Sequence, residues 1–254
     1  MQMKIKIVDV SEENRAEHPQ VICYINPKNQ YYPLKIEWLK NRFSDGLRIK
    51  LVYIENEKRS VGFIEYVPGD FCWRAVSAKD YMFIHCLWTY GKKNQNKGLG
   101  QALIEEVEKD AAKMSGVATV TSDKPFMANS SIFLKNGYDV IDESGKDQLL
   151  VKSFQKGPLP SINNRESELS KYKELTIIYS RQCPWVARFV DEIRPILLAK
   201  KIEPDIVEID SYAKAQHTPS LYSGFNLIYN GRLLADRYIS PTRFENILKK
   251  ELHI

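Results

Sequence analysis

One short stretch of this 254-residue chain has the residue types and spacing to hold a phosphate-bearing ligand: Gln95-Asn96-Lys97-Gly98-Leu99-Gly100-Gln101. It follows an apolar run, Tyr81–Thr89, that reads as a strand. It precedes Leu99–Met114, where Leu99, Ala102, Leu103, Val107 and Ala111 recur on one helical face. A helix start leaves backbone N–H groups unpaired and carries partial positive charge, so phosphate binds there readily. Gly98 and Gly100 lack a Cβ, which lets a pyrophosphate approach the main chain, and Lys92, Lys93 and Lys97 add positive charge. A nucleoside-triphosphate loop would end in Gly-Lys-Ser/Thr, but Lys97 is followed by Gly98 and Leu99. A dinucleotide loop needs a third glycine near Leu103.

Cys183-Pro184, between an apolar run and a helical pattern, is the other chemically suggestive pair. The four cysteines (Cys23, Cys72, Cys86, Cys183) are irregularly spaced with no Cys-x-x-Cys, which argues for reduced thiols in a cytoplasm and against a disulfide scaffold or zinc site. Cys23, Cys72 and Cys86 read as small buried hydrophobes. With four histidines, no metal centre is expected. Lys and Arg total 37 against 32 Asp and Glu, and a net +5 is too small for a dedicated nucleic-acid binder. The 43% hydrophobic content suffices for packed cores. No stretch approaches ~18 consecutive apolar residues, and the alternating start, Met1–Val8, lacks the apolar core of a signal peptide, so no membrane association is expected.

The elements that must position these residues divide at Gln155–Glu168, a run with Pro158, Pro160, Gly157 and many small polar residues that reads as a linker. The expected organisation is a domain over 1–155, a linker over 156–172 and a domain over 173–254. In the first, the pattern predicts strand Lys4–Val10, helix Leu34–Phe43, a hairpin of Ile49–Glu55 and Ser60–Val67 across Asn56, and strand Tyr81–Thr89. Helix Leu99–Met114, strand Val117–Thr121, short helix Ser130–Lys135 and strands Tyr138–Ile141 and Gln148–Phe154 follow. In the second, strand Leu175–Ser180, helix Trp185–Leu198 and strand Asp205–Ile209 precede hairpin Phe225–Tyr229/Leu233–Ile239 across Asn230-Gly231 and helix Pro241–Leu252.

Over residues 3–154 the chain resembles the GNAT superfamily of acetyl-CoA-dependent N-acetyltransferases. Its signature, Gln/Arg-x-x-Gly-x-Gly/Ala between a strand and the following helix, is met by Gln95, Gly98 and Gly100, and the later elements follow in the family's order to Phe133-Leu-Lys-Asn-Gly137-Tyr138. The resemblance implies an α+β fold with a mixed, mostly antiparallel sheet flanked by helices, splaying open after strand Tyr81–Thr89. It implies acetyl-CoA as co-substrate: the amides of Gln95, Asn96, Lys97, Gly98, Leu99, Gly100 and Gln101 would hold the pyrophosphate. Leu87, Trp88 and Thr89 would pair with the pantetheine arm, an amide near Leu87 polarising the thioester carbonyl. The family's tyrosine acid falls at Phe133, which has no proton to give; Tyr90, Cys86 and Tyr138 are substitutes that spacing does not choose between. His85, Glu65 and Asp70 are candidates to take the amine's proton, imidazole having the best-suited range. Strand alternation places Ile84, Cys86 and Trp88 opposite His85 and Leu87. Tyr53, Phe71, Trp73, Tyr81 and Trp88 are candidate pocket aromatics, core packing explaining them as well.

The order βαββα in the second half, with Cys183-Pro184 after the first strand and Thr218-Pro219 before the hairpin, resembles a small thioredoxin-like α/β domain. The resemblance implies a thiol site at Cys183 and a cis-proline at Pro219. Val186 stands where the second cysteine would be, so a local dithiol is excluded and a recognition module is favoured over redox chemistry. The expected function is acetyl transfer to a primary amine of a small molecule, a peptide amine being the second acceptor class. The alternatives are a coenzyme A sensor without turnover, motivated by Phe133, and a monothiol redox protein acting through Cys183. The oligomeric state is not inferred.

Overall fold

A computed structural model of the chain describes residues 3–19, 26–124, 127–163 and 166–253. Cys23 lies outside the described residues. The chain forms two compact units. The first comprises Met1–Lys28, Leu39–Cys72 and Val76–Ile162; the second comprises Asn29–Trp38, Trp73–Ala75 and Asn163–Ile254.

The elements are β1 (Ile5–Val10), α1 (Tyr32–Phe43), β2 (Arg48–Ile54), β3 (Gly62–Pro68), β4 (Val76–Ser77), β5 (Tyr81–Thr89), α2 (Leu99–Asp110), β6 (Gly116–Ser122), α3 (Ser130–Lys135), β7 (Asp139–Ser144), β8 (Asp147–Ser153) and β9 (Ser161–Ile162). Seven strands form one sheet in the order β1-β2-β3-β5-β6-β8-β7, and β4 pairs with β9. Every neighbour in the large sheet is antiparallel except β5 and β6. Parallel neighbours need a long crossover, and α2 supplies it. The expected hairpin is β2–β3, turning where Asn56 has φ +70°.

The buried apolar face of α2 (Leu99, Leu103, Ile104, Val107) packs on Val52, Ile64, Tyr66, Met82, Ile84, Leu87, Val117 and Leu150, with Phe133 from α3. Several boundaries differ from the sequence pattern: α1 starts at Tyr32 rather than Leu34, β3 at Gly62 rather than Ser60, and β7 runs on to Ser144 rather than Ile141. Helix α2 stops at Asp110, because the amides of Ala112 and Met114 turn back to Lys109 and Ala111. Residue Tyr138 precedes β7 rather than starting it.

In the second unit, α4 (Glu166–Leu169), β10 (Thr176–Ser180), α5 (Pro184–Ala199), β11 (Asp205–Ile209), α6 (Tyr212–Gln216), β12 (Phe225–Tyr229), β13 (Arg232–Ala235) and α7 (Pro241–Leu252) follow one another. The sheet order is β11-β10-β12-β13: β10 and β11 run parallel with α5 between them, and β12 and β13 are antiparallel additions. Strand β13 ends at Ala235, short of the expected Ile239, and the β12–β13 register shifts at Leu227/Ile228. Phe189 of α5 anchors the core, meeting Phe225 at 5.3 Å and Phe244 at 5.8 Å edge-on.

Candidate active site

Strands β5 and β6 pair only from Tyr81/Gly116 to Ile84/Thr119, where the Thr119 hydroxyl donates to the Ile84 carbonyl at 3.1 Å. Both strands run on, β5 to Thr89 and β6 to Ser122, so the sheet opens between them beyond that rung. Leu87, Trp88 and Thr89 keep their β3 partners Ile64, Phe63 and Gly62 and turn the other edge to the opening.

From Thr89 the chain passes through Gly91 (φ +77°), a turn over Lys92–Asn94, and Asn96 (φ +58°) to Gly98. Gly98 caps α2 in the left-handed conformation, φ +76° and ψ 0°, which an L side chain adopts only with strain. The first helical bond runs from the Ala102 amide to the Gly98 carbonyl. The amides of Leu99, Gly100 and Gln101 precede it, and no side chain caps them. A Cβ at Gly98 would meet nothing within 4 Å, so space lies open before this helix start. Gly100 is glycine for another reason: its Cβ would sit 2.5 Å from Ile132 Cδ1, so the residue lets α3 approach α2. A cavity of about 490 Å³ lined by Met3, Ile54, Glu57, Lys93, Asn94 and Lys97 adjoins the loop, with Lys93 3.5 Å from Glu57. Uncapped amides, nearby lysines and open space suit a diphosphate.

The β3–β5 register is broken by a bulge: Glu65 pairs with Cys86 and Tyr66 with Ile84, leaving His85 as the extra residue. This overturns the strict alternation expected for β5. Ile84 and Leu87 both enter the core against α2, whereas His85 meets the Phe83 ring at 5.8 Å. Alternation from Leu87 then puts Cys86 and Trp88 on the face away from α2. The bulge brings His85 and Glu65 together, with Nδ1 3.4 Å from Oε1 and both side chains buried. Asp70 lies in a turn after β3.

The candidate proton donors are scattered. Tyr90 stacks on Phe63 at 6.2 Å, on the face away from α2. Tyr138 is buried edge-on to Phe133 at 5.3 Å; burial and the Glu108 carboxylate raise its phenol, which makes it a poor acid. Cys86 is half-buried rather than fully buried, while Cys72 is fully buried. Of the candidate pocket aromatics, Tyr81 is core, Tyr53 lines a separate cavity of about 670 Å³ where its hydroxyl lies 2.9 Å from His18 Nδ1, and Trp73 belongs to the second unit.

In the second unit Cys183 caps α5, with Pro184 at its first position. The described residues contain no cis peptide bond, so the cis-proline expected at Pro219 is not there. The polar network of Thr218, Ser220 and Ser223 holds that turn instead, with the Thr218 hydroxyl donating to the Ala215 carbonyl at 2.8 Å. Among the described residues no cluster of three or more His, Cys, Asp or Glu could hold a metal ion, and no helix is long and apolar enough to cross a membrane.

Residues 9–133 match the Acetyltransferase (GNAT) family. The chain is an acyltransferase. It is 25% identical over 250 residues to the uncharacterized N-acetyltransferase YoaP of Bacillus subtilis (strain 168), covering 95% of this chain and 97% of that protein. A partial similarity links it to the protein disulfide-isomerase of Oryctolagus cuniculus, 31% over 128 residues, which is 50% of this chain and 24% of that protein. Among solved structures, the PaiA N-acetyltransferase of Thermoplasma acidophilum in complex with coenzyme A is 19% identical with a TM-score of 0.42, over 60% of this chain and 100% of that one.

Proposed function

We propose that the chain transfers an acetyl group from acetyl-CoA to the primary amine of a small molecule, by direct attack in a ternary complex. Acetyl-CoA is the co-substrate and supplies an acyl group activated as a thioester. One observation carries the reading: the free edge of β5 runs through a short loop into an uncapped helix start, so strand-like and diphosphate-binding surfaces are continuous. That continuity suits a ligand with an amide-bearing arm at one end and a diphosphate at the other.

On this reading the amides from Gln95 to Gln101 hold the diphosphate, and the edge at Leu87, Trp88 and Thr89 pairs with the arm. An amide near Leu87 polarises the carbonyl, and the strand fixes the thioester for attack. His85 and Glu65, on the face away from α2, take the proton that the attacking amine releases. A coenzyme A thiolate leaves tolerably without a strong acid, so Phe133 is compatible with turnover. The second unit is a thioredoxin-like module used for recognition rather than redox chemistry; its β10-α5-β11-α6-β12-β13-α7 order and the partial disulfide-isomerase similarity support the likeness.

The test is free-thiol release from acetyl-CoA across polyamines, aminoglycosides, amino acids and peptides. Turnover with at least one small amine is expected, reduced about 100-fold or more in Glu65→Gln. Acetyl-CoA binding without thiol release from any amine would make the chain a sensor and sink the proposal.

A further inference from the structure

Around the opening most buried hydroxyls are partnered. Thr119 donates to the Ile84 carbonyl at 3.1 Å, and Ser122 donates to the Lys146 carbonyl at 3.0 Å. Thr121, between them on β6, is fully buried, and its hydroxyl has no hydrogen-bond partner among the described residues. Leaving a buried hydroxyl unmatched costs about 1–3 kcal/mol, so such groups ordinarily meet a ligand or ordered water.

Its position favours a ligand. Thr119 is level with the last paired residue of β5, so Thr121 stands two residues further along, where the strands have parted. Thr119 pairs with Leu150, a core residue on the α2 side, and alternation turns Thr121 to that same side. Leu87, Leu99 and Phe133 pack there as well. The hydroxyl thus lies on the side of the opening from which α2 begins.

We propose that the Thr121 hydroxyl hydrogen-bonds the amide-bearing arm of the coenzyme A thioester and is a binding residue for that arm. The inference rests on the acetyl-CoA reading above. It assigns Thr121 to the part of the ligand that lacks phosphate, which neither the glycine loop nor the lysines can recognise. A threonine hydroxyl both donates and accepts, so either pole of an amide can satisfy it.

Thr121→Val keeps the branched shape and removes the hydroxyl. Thermal melts without ligand should show the variant at or above the wild-type midpoint, since the unmatched group is gone. Calorimetry should show acetyl-CoA binding about tenfold more weakly, the equivalent of about 1.4 kcal/mol. Adenosine 3′,5′-bisphosphate, which lacks the arm, should bind as in wild type, and Thr121→Ser should retain acetyl-CoA affinity. Unchanged acetyl-CoA affinity in Thr121→Val would mean that the hydroxyl serves water alone and would overturn the assignment. Equal loss for both ligands would overturn it too, as the mark of a general distortion. Should the valine variant not fold, Thr121→Ala against Thr121→Ser decides by the same two ligands. No heat from wild type with acetyl-CoA would remove the parent reading as well, whereas wild-type binding with an unaffected variant removes only this inference.

Discussion

At Asp110 two cations and a phenol converge on one carboxylate: Tyr66 Oη at 2.5 Å, Arg48 Nη1 at 3.0 Å and Lys50 Nζ at 3.4 Å. Burial opposes the charge on Asp110, but hydrogen bonds from Tyr66 and Arg48 and the charges of Lys50 and Arg48 outweigh it and lower its pKa. Burial also works against the charge of Lys50, and Asp9, Asp110 and Glu106 together raise its pKa. The Tyr66 phenol, raised first by burial and then by Asp110, remains a donor throughout the acid range. The direction of the linkage follows. A lowered Asp110 means that the unfolded chain takes up a proton at a pH where the folded chain does not. The stabilisation is complete above the ordinary carboxylate range of about pH 4 and is lost as pH falls through the lower, folded value. The wild-type melting midpoint should therefore fall from about pH 5 toward pH 3, and Asp110→Asn should be less stable at neutral pH with a shallower acid limb. Parallel acid limbs for the two proteins would show that the network is not the titrating element.

At the scale of elements, what sequence could and could not disclose follows from what leaves a local trace. The glycine loop was readable because a strand, a helix start and an anion site each demand particular residues nearby. The β2–β3 hairpin was readable from its turn. The bulge at His85 was not, because one extra residue leaves composition and hydrophobicity unchanged while reversing every later side chain. That phase change joins His85 to Glu65, a pairing that strict alternation does not reveal. In the sequence Thr121 is an ordinary strand threonine; only the loss of β5 pairing beyond Ile84 makes its hydroxyl notable. The role of Gly100 in bringing α3 against α2 was also hidden, since the partner Ile132 is distant in sequence. This contact is testable by a double-mutant cycle. Gly100→Ala gains about 0.5–1 kcal/mol of helix propensity but must push aside Ile132 Cδ1, the flexible end of a half-buried side chain, so urea melts should show a net change within about 1 kcal/mol. Ile132→Ala makes room, so the double variant should be more stable than the sum of the two single changes predicts, by at least about 0.5 kcal/mol. Strict additivity would show that Ile132 is not what crowds a side chain at position 100.

For the whole molecule, the composition of the second unit is the consequential fact. Asn29–Trp38 and Trp73–Ala75 cluster with Asn163–Ile254, although more than 80 residues of sequence separate them. Their contributions are specific: Trp38 meets Trp73 edge-on at 5.1 Å, the Arg74 guanidinium donates to Gln182 Oε1 at 2.9 Å, and Arg181 reaches Glu37 at 3.3 Å. Backbone bonds join the same pieces, the Asn163 amide donating to the Ala75 carbonyl at 3.0 Å. No linear change in composition marks this exchange, because each piece is too short to carry its own signal. A fragment of residues 163–254 keeps every strand of the β11-β10-β12-β13 sheet but lacks Trp38, Trp73 and Arg74. Of these contacts, the buried Arg74–Gln182 hydrogen bond and the Asn163–Ala75 backbone bond reach the fragment directly and are worth about 0.5–3 kcal/mol each, whereas the exposed Arg181–Glu37 pair adds about 0–1 kcal/mol. For a unit this small, every 1 kcal/mol moves the melting midpoint by about 4–8 °C. The isolated fragment should therefore melt about 10 °C or more below the same unit in the full chain, with weaker hydrogen-exchange protection in β10 and β12. Adding Trp73-Arg74-Ala75 back through a short linker should recover part of the difference. If the bare fragment protects β10 and β12 as strongly as the intact chain does, the two early segments contribute nothing to that unit's stability.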